Sequence, residues 1–136
     1  MAILVDGSSR ILVQGITGGA GRYHTERMVG CGTKIVGGTS PGKGGEKVAE
    51  VPVFDTVAEA VAATKADTTV LFLPASGVLD GAQEAIRAGI RLVVIVPEHI
   101  PIHDMLRIRE AAVARGATVL GGNTAGILSP GKANLG

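Results

Sequence analysis

The amino-acid sequence predicts one α/β domain of the Rossmann-like type, in which a doubly wound parallel sheet forms the middle of three layers. Apolar runs rich in Val, Ile and Leu alternate with amphipathic stretches along the chain, and this is the order of elements in a parallel sheet with helical crossovers. Aromatic residues make up only 2% of the sequence, so the core must be aliphatic, as in tightly packed parallel strands. The length of 136 residues is that of a single domain.

Six strands are predicted, because six short apolar runs end at glycine, proline or a polar residue. In chain order they cover 10–15, 33–38, 51–54, 68–74, 90–98 and 117–122. Pro52 lies within the third run and cannot donate a hydrogen bond to a neighbouring strand. The third strand is therefore expected at an edge of the sheet.

Four helices are predicted between these strands, over 21–32, 55–64, 79–89 and 102–116. The first, third and fourth finish at a glycine, which commonly terminates a helix. Thr56 and Glu59 have capping-box spacing at the start of the second helix, and its alanines favour helix formation. Because strand–helix–strand crossovers are right-handed, helices are expected on both faces of the sheet.

Composition and charge argue against several functional classes. The formal net charge is +1, so no electrostatic footprint for nucleic acid is expected. No run approaches the roughly 18 apolar residues of a membrane span, and the first ten residues do not resemble a signal peptide. The single cysteine, Cys31, excludes an internal disulfide and fits a reducing, cytoplasmic location. Its side chain is expected to be a buried, small apolar group.

The segment QGITGGAGRYH, residues 14–24, predicts a phosphate-binding turn between the first strand and the first helix. Its glycines allow close backbone approach to a pyrophosphate, and the helix N-terminus adds N–H groups and a positive dipole. Thr17 stands where the dinucleotide fingerprint has its second glycine, which counts against NAD(P). A plain tight turn is the alternative.

The segment GGTSPGKGG, residues 37–45, matches the first seven positions of the P-loop pattern, but Gly44 replaces the hydroxyl that binds magnesium. The residues after Lys43 predict a loop and a short strand, whereas a P-loop continues into a helix, so the match is interpreted as false. A dinucleotide site would carry an acid after this strand. Lys43 suits a phosphorylated ribose or a pyrophosphate instead, and a solvated surface lysine is the alternative.

Pro74 and Pro97 lie near the ends of the fourth and fifth predicted strands, and both are expected to line a cleft at the same edge. Glu98 either accepts hydrogen bonds from an adenine amine or a ribose, or caps the following helix. The histidines are His24, His99 and His103. They lack metal-ligand spacing, and none is expected to pair with a carboxylate.

Long stretches of the chain resemble one family. They are ILVDGSSRILVQGITGGAGRYHTERMVGCGTKIVGGTSPGKGG, VPVFDTVAEAVAAT, EAIRAGIRLVVIVPEHIPIHDML and GGNTAGILSPGK. Together they resemble the α subunit of the ADP- or GDP-forming succinate–CoA ligases, cytoplasmic enzymes of the tricarboxylic acid cycle. The resemblance implies that residues 1–136 form a Rossmann-like, CoA-binding domain that ends where a ligase domain with a phosphorylated histidine begins. It also implies a nucleotide-binding β subunit as partner.

The resemblance assigns coenzyme A contacts to three segments and assigns no catalytic residue or metal ligand to this chain. The contacts are Thr17, Gly18, Gly19 and Ala20, then Lys43, then Val96, Pro97 and Glu98. Thr124 and Ala125 depart from the family pattern GPNCPG, so a related malate-using ligase is open. A free-standing CoA-binding regulatory protein and an NAD(P)-binding domain are the other hypotheses.

Overall fold

The structure, a computed structural model, describes residues 5–129 and 133–135. Its strands are β1 (Ile11–Gln14), β2 (Ile35–Thr39), β3 (Lys47–Val48), β4 (Val51–Phe54), β5 (Thr68–Leu71), β6 (Leu92–Ile95), β7 (Thr118–Gly121), β8 (Ile127–Ser129) and β9 (Ala133–Leu135). Its helices are α1 (Gly19–Gly30), α2 (Val57–Thr64), α3 (Ala75–Arg87) and α4 (Ile102–Arg115).

Seven strands form one sheet in the order β3-β4-β2-β1-β5-β6-β7. In this sheet β4, β2, β1, β5, β6 and β7 are parallel to one another, and β3 runs antiparallel to its neighbour β4. The chain winds outward from β1 in one direction and then from β5 in the other, which confirms the doubly wound Rossmann-like fold. Ligands in such sheets bind at the carboxyl ends of the strands, at the point where the order reverses. Here that point lies between β1 and β5.

Side chains alternate between the two faces of β1, as the two-residue period of a strand requires. Leu12 packs with apolar residues of α2, α3 and α4, whereas Ile11 and Val13 pack with Met28 of α1 on the opposite face. All four side chains are fully buried. Three helices therefore cover one face of the sheet, and α1 covers part of the other.

The hairpin of β8 and β9 completes the second face. Its strands pair antiparallel, and Ala133 and Leu135 are buried against the apolar cluster that includes Val70 and Val94. The sequence indicated only the start of an unfinished glycine-rich turn here, so this packing was missed. Residues 130–132 of the motif GGNTAGILSPGK lie outside the described residues.

Two expectations about single residues are wrong. Pro52 does not mark an edge strand, because β3 pairs with β4 on its outer side, where Lys47 lies opposite Pro52. Cys31 is exposed rather than buried, because it is the C-cap of α1 and lies beyond the last turn that packs on the sheet.

Two helices begin earlier than the sequence predicts. Helix α1 begins at Gly19 rather than 21, and α3 begins at Ala75 rather than 79. Both early turns extend to the edge where the parallel strands end, so two helix N-termini lie at that edge. In the part of the chain that the structure describes, no helix combines the length and the apolar character needed to cross a membrane.

Candidate functional site

The segments singled out in the sequence lie at one edge of the sheet. Residues 15–18 follow β1, residues 40–45 follow β2, and residues 96–98 follow β6. Because β2, β1, β5 and β6 are parallel and adjacent in that order, their carboxyl ends form a single rim. The predicted site residues therefore share this rim, with the end of β5 between the first and third segments.

The turn after β1 leads directly into an uncapped helix. Gly18, the N-cap of α1, makes no side-chain cap and has φ −71° and ψ 166°. The first helical hydrogen bond runs from Arg22 N to Gly18 O, at 2.8 Å. Among the described residues, the amides of Gly19, Ala20 and Gly21 have no protein acceptor, as at the start of any α-helix. The first turn carries no acid, so this end is suited to an anion.

Two glycines in this turn are required by the fold itself. Gly15 has a φ of +81°, and a Cβ there would collide with the carbonyl oxygen of Phe72. A Cβ at Gly21 would collide with the carbonyl oxygen of Gly15. At Gly18 and Gly19, by contrast, an added Cβ meets ordinary contact distance or open space. These two glycines are therefore not demanded by packing, which is consistent with a role towards a ligand.

A buried amide supports the turn from below. Gln14, the last residue of β1, is 2% exposed. Its Nε2 donates to the carbonyl oxygen of Gly81 in α3 at 3.0 Å, and its Oε1 accepts from Thr69 Oγ1 at 2.8 Å. Both ends of the amide are thus satisfied in the core. The network ties β1, β5 and α3 together directly beneath the rim.

Backbone and side-chain hydrogen bonds join the turn after β1 to the loop after β2. The carbonyl oxygen of Thr39 accepts from Gly15 N at 2.9 Å and from Ile16 N at 3.3 Å. The hydroxyl oxygens of Thr17 and Ser40 lie 2.5 Å apart and share a hydrogen bond. The first two predicted segments are therefore brought into direct contact.

The loop that carries Lys43 is ordered by a carboxylate. Gly44 N donates to Asp55 Oδ1 at 2.9 Å, and a Cβ at Gly44 would lie 2.8 Å from the other oxygen of that carboxylate. Lys43 Nζ lies 4.0 Å from Glu46 Oε2, and the Lys43 side chain is 55% exposed. This ion pair is loose, so the ammonium group is available to another anion.

The same loop does not form a P-loop, as the sequence analysis predicts. After Lys43 the chain turns back, with Glu46 N donating to Lys43 O at 3.1 Å, and continues into β3 rather than a helix. The helical amides that hold phosphates in a P-loop are therefore not present after this lysine.

The third segment, residues 96–98, has fewer hydrogen bonds to its neighbours than the first two. Asn123 N donates to Pro97 O at 2.9 Å, which links it to the turn after β7. Helix α4 has Pro101 as N-cap and no side-chain cap, so Glu98 does not cap it. Glu98 Oε2 lies 3.6 Å from His99 Nε2. The expectation that no histidine pairs with a carboxylate is therefore wrong, since these neighbours in sequence both point into solvent at the rim.

The N-terminus of α3 also belongs to the rim, although the sequence pattern does not predict a helix start there. Its N-cap is Pro74, no side chain caps it, and its first turn carries no acid. The apolar run over 68–74 predicts a strand up to Pro74, because Phe72 and Leu73 continue the run past the end of β5. The helix start directly after it is therefore not evident from the sequence. The proline was the available signal, since proline is common at helix starts.

An aromatic pair lies between α1 and the end of β5. The rings of His24 and Phe72 are stacked with centroids 4.8 Å apart and planes 5° apart. His24 Nδ1 is buried and has no hydrogen-bond partner in the described structure. Within residues 5–129 and 133–135, no group of three or more His, Cys, Asp or Glu side chains is placed to hold a metal ion.

Comparison with known proteins gives one family and consistent relatives. The profile of the CoA binding domain family matches residues 6–99. The chain is 50% identical over 136 residues to a succinate–CoA ligase [ADP-forming] subunit alpha 2 of Archaeoglobus fulgidus. It is 45% identical over 140 aligned residues to the malate–CoA ligase subunit alpha of Methylorubrum extorquens. In both cases the match covers 100% of this chain and 47% of the relative, so the chain spans about half the length of these relatives.

Solved structures show the same fold. An ATP citrate lyase from Methanothrix soehngenii, solved with citrate and coenzyme A, superposes with a TM-score of 0.85 over 96% of this chain and 23% of that chain. The sequence identity is 22%, so this likeness concerns the architecture alone.

Proposed function

The chain belongs to the family of CoA-binding domains, and we propose that it holds coenzyme A at the carboxyl edge of its sheet as part of an acid–CoA ligase α subunit. The observation that carries the proposal is the rim itself. An uncapped helix N-terminus without acids lies in hydrogen-bonded contact with a glycine-rich loop that presents a lysine. Coenzyme A carries a pyrophosphate and a ribose phosphate, and both need donors or cations.

The proposed contacts are those that the resemblance assigns. The pyrophosphate would lie against the start of α1. Gly18 and Gly19 leave space there, and the backbone amides of the first helical turn can donate to its oxygens. Lys43 would meet a phosphate from the adjacent loop. The full proposed set is Thr17, Gly18, Gly19, Ala20, Lys43, Val96, Pro97 and Glu98.

The proposed role in the reaction is to hold the cofactor. In the complete enzyme a nucleoside triphosphate phosphorylates a histidine, the acid becomes an acyl phosphate, and the CoA thiol displaces phosphate from the acyl carbon. This domain would bind the nucleotide end of coenzyme A and direct its thiol, while a ligase domain and a nucleotide-binding β subunit supply the chemistry. A cytoplasmic location and a place in the tricarboxylic acid cycle are parts of the same proposal.

The acid substrate is proposed to be selected outside this domain. Relatives that match over the whole of this chain are named for succinate and for malate. The rim carries groups suited to phosphates, and its one acid among the proposed contacts, Glu98, would repel a dicarboxylate rather than bind it.

Titration calorimetry with coenzyme A and NADH tests the proposed function. We expect coenzyme A to bind and NADH to bind at least about tenfold more weakly, a difference of about 1.4 kcal/mol. The physical reason is that β2 ends at Thr39 and is followed by Ser40 and Lys43, with no acid to accept from the adenosine ribose of NADH. Tighter binding of NADH would instead identify a redox or NAD(H)-sensing domain.

The charge of Lys43 gives a second prediction. Lys43→Ala is expected to weaken coenzyme A binding by about three- to tenfold at low salt, as the loss of a partly exposed, charge-assisted hydrogen bond does. The loss should shrink at high salt, because the screening length falls from about 10 Å at 0.1 M to about 3 Å at 1 M. Calorimetry at both salt concentrations measures this.

Lys34→Ala is the matched control, since it removes the same charge from an exposed site. Lys34 precedes β2, whereas Lys43 follows it, so the two lysines lie at opposite edges of the sheet. Lys34→Ala should leave affinity unchanged within about twofold. Dephospho-CoA, which lacks the ribose phosphate, shows which phosphate Lys43 contacts. If wild type and Lys43→Ala bind dephospho-CoA equally well, the lysine contacts the ribose phosphate. A loss that does not respond to salt would contradict an electrostatic role.

A further inference from the structure

The hydroxyl pair of Thr17 and Ser40 has one proton that is not used in the hydrogen bond between the two side chains. The two oxygens are 2.5 Å apart across a sequence separation of 23 residues. In such a pair one hydroxyl donates and the other accepts. Only one of the two protons is consumed, so the accepting hydroxyl still has a proton to donate. In the described part of the chain, neither hydroxyl has a second protein partner.

The pair is not needed to hold the two loops together. The carbonyl oxygen of Thr39 already accepts from Gly15 N and Ile16 N, and Ser40 N donates to Phe54 O at 3.0 Å. These backbone bonds fix both loops relative to β1, β2 and β4. The additional effect of the hydroxyl pair is that the hydrogen bond between the two side chains fixes the direction in which their protons point.

The direction of the remaining proton follows from the surroundings of each hydroxyl. Thr17 immediately precedes Gly18, the N-cap of α1. The amides of the first turn of α1 are therefore close to Thr17 in the chain, and they can donate to an anion. Ser40 lies in the loop after β2, and its amide donates to Phe54 O of β4. A hydroxyl that accepts from its neighbour is polarised and becomes a better donor itself.

We propose that Ser40 is a positioning residue, which donates its proton to Thr17 and thereby directs the Thr17 proton to a pyrophosphate oxygen of bound coenzyme A. The inference rests on the proposed function. The pyrophosphate is common to coenzyme A and dephospho-CoA, so Ser40 acts on both equally, unlike a residue that meets the ribose phosphate. Ser40 itself does not touch the ligand and acts only through Thr17.

A double-mutant cycle on coenzyme A affinity tests this dependence. Ser40→Ala and Thr17→Val are each expected to weaken coenzyme A and dephospho-CoA about fivefold, as the loss of one hydrogen bond does. The double variant is expected to be no weaker than Thr17→Val alone, because Ser40 has nothing to orient once the threonine hydroxyl is gone. Ser40→Thr keeps a hydroxyl and should retain wild-type affinity.

Thermal melting without ligand separates folding from binding, and Ser40→Cys, a weak donor of similar size, replaces Ser40→Ala should the latter not fold. A further fivefold loss from Ser40→Ala in the Thr17→Val background would overturn the inference, since it would show direct contact with the ligand. Unchanged affinity in a folded Ser40→Ala or Ser40→Cys variant would overturn it as well. Wild-type protein that binds no coenzyme A would overturn the proposed function and this inference with it, whereas the other two results overturn the inference alone.

Discussion

Gly18→Val is expected to weaken coenzyme A binding at least tenfold, about 1.4 kcal/mol, while the protein remains folded. Gly18 has φ −71° and ψ 166°, an extended conformation that valine favours. An added Cβ would lie 3.5 Å from the carbonyl oxygen of Gly15, which is an ordinary contact. The turn therefore has room for the added Cβ. The loss arises because the branched side chain occupies space beside the α1 N-terminus where a pyrophosphate must approach the backbone.

Gly7→Val supplies the control for this comparison. Gly7 precedes β1, at the opposite edge of the sheet from Gly18, and a Cβ there meets nothing within 4 Å. The same atoms are added in open space, so affinity should not change. Gly21 is unsuitable for this purpose, because its Cβ would strike the turn itself and would report on folding. Wild-type affinity in a folded Gly18→Val protein would contradict a phosphate site at this turn.

The fold could be predicted from the sequence because alternation of apolar runs and amphipathic stretches reports the element order directly. Element boundaries could not, because hydrophobicity reports burial rather than strand pairing. Ile90 shows the difference. It is 2% exposed and belongs to the core, yet it lies in the connection after α3 and before β6 begins at Leu92. An apolar run over 90–98 thus contains a strand of only four residues.

The hairpin of β8 and β9 was missed for a related reason. Its strands have three residues each, which is too short for a two-residue period to stand out. Its formation depends on the apolar surface that α1 leaves uncovered on its face of the sheet, where Leu92 and Val94 pack. That surface arises from tertiary packing and is not visible in the local sequence.

The candidate site shows the same division between local and long-range information. The glycine turn after β1 and the position of Lys43 at the rim follow from short segments and the direction of parallel strands. The pairing of Thr17 with Ser40 does not, because it depends on the register in which Gln14 lies opposite Thr39. Sequence separation hides such contacts, even when both residues lie within recognised motifs.

The 136-residue chain alone is expected to bind coenzyme A yet to take up no label from γ-phosphate-labelled ATP or GTP, even when a β subunit from a relative is supplied. The resemblance to the ligase family assigns none of this chain's histidines to the motif that is phosphorylated there. His24 is stacked on Phe72 with its Nδ1 buried. The side chain of His99 is 91% exposed, and its Nε2 lies 3.6 Å from the carboxylate of Glu98, a negative charge that disfavours an incoming phosphate. Scintillation counting of the protein after alkaline gel separation measures the label.

A fusion of this chain to the remaining half of the Archaeoglobus relative is the positive counterpart, and labelling is expected to return in it when the same β subunit is supplied. The departures Thr124 and Ala125 should not prevent this. Thr124 Oγ1 accepts from Gly126 N at 3.2 Å, so the hydroxyl is engaged within its own turn, in a loop that Asn123 also anchors to Pro97. Acid-labile phosphate on the unfused chain would contradict the assignment of catalysis to another domain. His99 would then be tested first by His99→Gln, because its exposed Nε2 can be reached by a nucleotide, whereas the His24 ring would have to leave its stack.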